Sequence, residues 1–451
     1  VRSNYATKME RKLITNFKTS DDYRRVIHDL IPGGAHTYSK GDDQFPERSP
    51  AAIVRGKGSH VWDVDGNEFI ECLGGLASVS LGHAYAPVIA RVAEELERGN
   101  NFSRPSVLER EMAETFLDLI DGHDMIKFAK NGSVVTTAAV KLARAYTGRK
   151  LIARPQEHPF YSYDDWFIGS TDANFGIPQE TISMTVMYKA DDLDSLRALF
   201  EQYPGQIACV ISEPEKTNVL TPNYLNDAIE LTHRHGALYI ADEMITGFRT
   251  HFPGSCVKYG AVPDMATWGK GIANGFSFCA LTGKKEVMEL GGIRKKGERK
   301  LFLISTTHGG ETSALAAGLA TIGVFKKQNV IAHNHRMGDL FISGTRKLLE
   351  KHELTNHIDQ LQFNWHASMG FRNAKKEPCF GMRTLFNQEV IARGVLFQGI
   401  FCPNFSHTEE DVDHILWAFD EAMAVYKKGL EDGYEKHLVG DMIKPVFRKT
   451  I

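Results

Sequence analysis

Cysteine is scarce in this sequence. Six occur among 451 residues, at Cys72, Cys209, Cys256, Cys279, Cys379 and Cys402. They show no paired spacing and no metal-knuckle pattern, which excludes a disulfide framework and a zinc ribbon. Scattered cysteines in a chain of this length suit reduced thiols of a cytoplasmic protein. No apolar run approaches the roughly 20 residues of a membrane span. The first 16 residues are mixed charge and polar and lack the apolar segment of a secretory signal. An excess of one charge is also missing: 53 basic and 56 acidic residues leave a formal net charge of −3. That balance offers no field for nucleic acid or an anionic membrane. The basic run at residues 294–300 reads as a solvated loop. No GxGxxG, P-loop or HExxH pattern occurs. His233 and His235 lie two apart on an expected helix, so they do not share a face. No metal is expected.

What is present is ordinary globular protein: 42% apolar and 24% charged residues. The length suits two intertwined domains, or one large α/β domain with a smaller one. The first 30 residues read as a polar helix, broken by Ile31-Pro32-Gly33-Gly34. Residues 52–71 alternate like antiparallel strands, with a hairpin turn at Asp65-Gly66. Helix patterns follow at 88–98 and 106–119. From residue 125 strand-like and helix-like segments alternate: strands at 125–129, 207–211 and 237–241, helices at 136–146 and 224–235. That rhythm predicts a largely parallel sheet covered on both faces. A long apolar helix is expected at 312–325. The last third mixes a helix at 330–349, short strands at 362–365 and 394–397, and a final amphipathic helix. Thr408-Glu409-Glu410-Asp411 opens that helix as a capping box with aspartate in the glutamate slot.

The chemistry concentrates at strand ends. Lys270 stands between Gly269 and Gly271 at the close of the apolar segment 265–268. Asp242-Glu243 closes the segment 237–241. An amine and a carboxylate at the carboxyl ends of two strands are what pyridoxal 5'-phosphate (PLP) chemistry requires. Lysine can bond the cofactor aldehyde, and aspartate can keep the ring nitrogen protonated. A desolvated lysine also favours the neutral, nucleophilic amine. Each residue has a plainer reading: an exposed lysine; an aspartate that caps a helix or pairs with Arg249; a Glu243 that is only a structural neighbour. The segment 130–136, with Gly132 and Ser133 at a helix start, is a candidate phosphate cradle or an ordinary loop. Residues 306–311 offer a second phosphate contact or a simple N-cap. Glu213-Pro214 orients a cofactor, meets a substrate or shapes a turn. Phe160 and its neighbours stack on a pyridine ring or belong to the core.

Taken in order, these motifs resemble the class-III PLP-dependent aminotransferases, and most closely the glutamate-1-semialdehyde aminomutase branch. The matching stretches include residues 31–34, 61–67, 132–133, 139–149, 213–214, 242–243, 247–249, 269–271, 307–310 and 407–408. The resemblance implies PLP fold type I: a large α/β domain with a mainly parallel seven-stranded sheet plus a smaller α+β domain. Its division would run 1–75 for an N-terminal arm and part of the small domain, 76–330 for the large domain, and 331–451 for the rest of the small one. It implies a homodimer with shared active sites and small-molecule partners, an amino donor and a carbonyl acceptor. By position Lys270 would be the Schiff-base lysine and Asp242 the partner of the ring nitrogen. Gly132 and Ser133 would hold the phosphate, Thr307 would reach the cofactor of the neighbouring subunit, and Phe160 would stack. Glu213 is counted with the cofactor residues, and His36, Tyr38, Tyr161 and His308 with a polar substrate pocket. The chain departs from the branch at Val134, at Phe160-Tyr161-Ser162, at 271–276 and at 399–406. The expected activity is an aminotransferase, possible roles including amino-sugar or other specialised biosynthesis. An intramolecular aminomutase is the nearest alternative, then a PLP racemase or decarboxylase. A binding protein on the same fold is the alternative from another class.

Overall fold

The computed structural model describes residues 9–216, 223–360 and 363–450. The chain divides into two compact units. The larger holds residues 78–80, 86–331 and 447–451. Its seven strands are β1 (Met125–Ala129), β2 (Leu151–Pro155), β3 (Thr185–Tyr188), β4 (Ile207–Ser212), β5 (Leu238–Asp242), β6 (Met265–Trp268) and β7 (Cys279–Gly283). They form one sheet in the order β1-β7-β6-β5-β4-β2-β3. β7 runs antiparallel to both β1 and β6, and the other adjacent pairs are parallel. Six strands therefore share one direction. Every residue of β4, β5, β6 and β7 is buried, as expected of a sheet covered on both faces. The carboxyl ends of β1, β4, β5 and β6 lie along one edge, the usual place for ligands in such sheets.

The helix after β1 starts earlier than its apolar pattern suggested, spanning Gly132–Thr147. Asn131 caps it: its side chain accepts from the Val134 N–H at 3.1 Å. Gly148 ends it in the left-handed conformation, φ 69°. The apolar helix Thr312–Lys327 is buried along most of its length.

The second unit combines both ends of the chain, residues up to Ala77, Leu81–Tyr85 and Ala332–Val446. Strands Ile53–Lys57, His60–Asp63 and Glu68–Glu71 form a meander, extended by Val395–Leu396. The turn at Asp65-Gly66 is as expected: Gly66 takes φ 83°, and Asp63 Oδ1 accepts from Asp65 N and Asn67 N. Phe341, Phe386, Phe419 and Tyr426 fill the core of this unit. The last helix, Glu409–Asp432, carries the expected box, with Thr408 and Asp411 capping reciprocally.

Two expectations fail. Among the described residues of the first segment, Lys18–Leu30 is helical; residues 9–17 are not, and the Ile14 N–H bonds the Ala392 carbonyl at 2.7 Å instead. The strand expected at 362–365 is also absent: Gln362 lies outside the described residues, and Phe363–Trp365 is irregular chain entering a turn. Its alternation arose because Phe363 and Trp365 are both buried and pack ring to ring at 5.3 Å, while Asn364 bonds Asp339. The strands there are Ile358–Gln360 and Ala367–Phe371. No helix among the described residues is long and apolar enough to cross a membrane.

Candidate active site

Lys270 and Asp242 are set by adjacent parallel strands. β5 and β6 pair with Asp242 opposite Thr267. Thr267 Oγ1 donates to Asp242 Oδ1 at 2.8 Å, and the Met244 N–H donates to the same oxygen at 3.1 Å. Asp242 is 2% exposed. Loss of water raises its pKa to about 7, and the charge of Glu213 adds to the rise; Thr267 and Lys270 work the other way. Arg249, one alternative partner, donates to the Ile245 carbonyl at 2.8 Å. Glu243 is structural: its buried carboxylate accepts from Thr246 Oγ1 and from the N–H groups of Ser255 and Cys256.

β6 delivers Lys270 two residues past its end. The residue is half-buried, and its backbone sits in the left-handed region at φ 49°. A non-glycine residue there is strained, and such strain clusters at functional sites. Desolvation lowers the pKa of the amine, while Asp242 and Glu213 favour its charged form. Gly269 is required by space rather than by φ. A Cβ there would stand 2.4 Å from Met244 Sδ and 2.6 Å from Cys279 Sγ. Met244 also packs on the cradle, 3.1 Å from where a Cβ of Gly132 would be. One thioether thus touches both the start of the cradle helix and the residue before the lysine.

At the cradle, Gly132 and Ser133 occupy the first helical turn, where backbone N–H groups have no partner within the helix. Ser133 Oγ accepts from the Tyr163 N–H at 3.0 Å, which leaves its proton to donate outward. Val134 spends its N–H on Asn131 and packs its side chain against the core.

Glu213 follows β4 and is buried, and among the described residues its Oε2 makes no hydrogen bond; Lys216 Nζ stands 3.5 Å away. Phe160 is 46% exposed, with its ring stacked on Phe447 at 6.5 Å and edge-on to Phe167. Thr307 and His308 are exposed. His308 pairs with Glu311 at 2.9 Å, and Glu311 also binds Lys130. One expectation needs correction. Tyr161 does not line an open polar pocket: it is 2% exposed, and its hydroxyl bonds His158 Nδ1 at 2.6 Å. Burial between Trp166 and Phe167 places it in the core. His36 and Tyr38 lie in the other unit, and both are exposed there. Sequence reasoning missed Thr267, Met244, Cys279 and His158. Thr267 alone carried a signal, as a polar residue in an otherwise apolar strand.

The chain is similar to known proteins of one family. The family described as aminotransferase class-III matches residues 42–395. A glutamate-1-semialdehyde 2,1-aminomutase of Persephonella marina is 31% identical over 395 residues, covering 81% of this chain and 90% of that protein. Among solved structures, the FumI protein of Sphingopyxis sp. MTA144 superposes with TM-score 0.83 at 24% identity, covering 92% of this chain and 97% of that one. An omega-transaminase from Sphaerobacter thermophilus gives 0.78 at 21% identity, covering 89% and 97%. A glutamate-1-semialdehyde-aminomutase from Pseudomonas aeruginosa PAO1 gives 0.77 at 20% identity, covering 90% and 94%. These likenesses establish the fold. The match over residues 42–395, with the Persephonella relative, places this chain in the class-III aminotransferases, a family of pyridoxal-phosphate enzymes.

Proposed function

We propose that the protein transfers an amino group from an amino-acid donor to a carbonyl acceptor, with Lys270 and Asp242 as its catalytic residues. The observation that carries this is a buried carboxylate whose ionisation is opposed by its surroundings, one strand away from a strained, partly desolvated lysine.

The residues fit PLP. A buried carboxylate at Asp242 calls for a cation, which a protonated ring nitrogen supplies. The helix start at Gly132 and Ser133 offers N–H groups and a hydroxyl proton to a phosphate. Lys270 would hold the cofactor covalently through Nζ, Asp242 would hold the proton of its ring nitrogen, and Glu213 would orient it. When bound, PLP supplies an electron sink for the bond electrons of the substrate's amine-bearing carbon. Lys270 Nζ would carry the proton to and from that carbon, which suits an amine whose pKa is pulled below the usual lysine range. Thr267 and the Met244 N–H keep Asp242 fixed and favour its ionised form.

The protein would act as a homodimer, with the exposed Thr307 reaching the cofactor of the neighbouring subunit. Phe160 would stack on the ring.

The Persephonella relative favours a second reading, an aminomutase that moves the amino group within one molecule. Single amines added to the holoprotein separate the two. A transaminase turns the cofactor to its amine form and releases a free keto product from an external donor. An enzyme that yields no free keto product from any donor, yet isomerises glutamate 1-semialdehyde, is the mutase.

A further inference from the structure

Beside the site lies a cavity of about 10 Å³, walled by His158, Tyr188, Asp191, Glu213 and Tyr224 among others. That is roughly the space one water centre needs. His158 is 2% exposed. Its Nδ1 bonds the Tyr161 hydroxyl at 2.6 Å, and the Glu213 N–H is shared between Nδ1 and that hydroxyl oxygen, 3.2 Å from each. Among the described residues the Nε2 of His158 has no hydrogen-bond partner. A buried ring nitrogen without a partner is costly, and an ordered water, which can donate or accept, is a common remedy. His158 lines the cavity, and Nε2 is its ring nitrogen without a partner among the described residues. The hydroxyls of Tyr188 and Tyr224 in the wall can serve as further partners for a water.

We propose that this cavity binds one ordered water held by Nε2 of His158, and that His158 is thereby a positioning residue for Glu213. The water fixes the ring on one side. On the other, Nδ1 and the Tyr161 hydroxyl together hold the Glu213 N–H, which starts the loop after β4. Glu213 matters to the chemistry because its charge acts on both Asp242 and Lys270. The water site stands on the fold alone; the positioning role rests on the PLP reading given above.

Two measurements test it. A crystal structure of the holoprotein, at a resolution that orders single waters, should show one peak about 2.7–3.2 Å from His158 Nε2. An empty cavity, or a ring turned so that Nε2 bonds a protein atom, overturns the site. For the positioning role, H158F, Y161F and the double variant are compared as folded holoproteins, with folding checked by circular dichroism. The readout is the pH midpoint of the cofactor absorbance change. A loosened Glu213 withdraws negative charge from Lys270, so each single variant should lower the midpoint by roughly half a unit. The double variant should lower it no further, because the two side chains act as one unit. An unmoved midpoint, or additive shifts, overturns the positioning role and leaves the PLP reading intact. A wild-type protein without cofactor absorbance overturns that reading instead.

Discussion

The hydrogen bond from Thr267 to Asp242 is the most exposed joint of the account, because it can be removed without changing shape. Thr267→Val keeps the branched side chain and deletes the donor 2.8 Å from Oδ1. A hydrogen bond to a charged group contributes about 1.5 kcal/mol, and one pKa unit corresponds to about 1.36 kcal/mol. The variant should therefore raise Asp242 by about one unit, from about 7 to about 8. Under the proposed role only ionised Asp242 would hold a cationic ring nitrogen, so cofactor affinity would scale with the ionised fraction. The ratio of wild-type to variant affinity should be about tenfold at pH 6 and about fivefold at pH 7, and should fall to about one near pH 9. Taking the ratio removes the cofactor's own titration, which is common to both proteins. Fluorescence titration of the apoproteins with PLP measures it. A ratio that stays constant across pH would show that Thr267 matters only for packing, and the assignment of Asp242 would lose its support.

Three further outcomes follow from the same geometry. In the apoprotein, the raised pKa of Asp242 means the folded state binds its proton more tightly, so this residue's contribution is full below about pH 4 and is lost as pH rises through 7. Relative to Asp242→Asn, wild-type stability in denaturant melts should fall by about 4 kcal/mol over that window, about three units at 1.36 kcal/mol each; parallel curves would contradict this. Gly269→Ala drives a methyl into Met244 Sδ and Cys279 Sγ, so it should cost about 1–3 kcal/mol and weaken PLP binding; an unchanged melting temperature would contradict it. Asn131→Ala removes the cap of the cradle helix and should destabilise the protein by about 1 kcal/mol, with weaker binding of the cofactor phosphate; unchanged stability and affinity would contradict it.

The sheet was legible because its strands are short apolar runs that end in chemically distinctive residues. Asp242 and Lys270 could be placed at strand ends from pattern alone, and the hairpin at Asp65-Gly66 from its turn residues. The failures have a common cause. Alternation of burial is not unique to strands, so Phe363 and Trp365 imitated one while packing near a turn. Tyr161 read as a polar pocket residue because a phenol is polar at its tip, yet its hydroxyl found a buried partner in His158. Nothing in the sequence pairs residues 158, 161 and 213, or places Met244 against both Gly132 and Gly269. Such contacts depend on how loops from different strands meet, which local pattern does not encode. Thr267 lay between these cases: its polarity was visible, but its bond to Asp242 depends on the register of two parallel strands.

The central claim is that Lys270 is the residue bonded to the cofactor. Borohydride reduction of the holoprotein, followed by proteolysis and mass spectrometry, tests it most directly. The account predicts a phosphopyridoxyl group on Lys270 and none elsewhere, and no label or colour in Lys270→Ala. A label on another lysine, or a colourless protein with cofactor added, would contradict it.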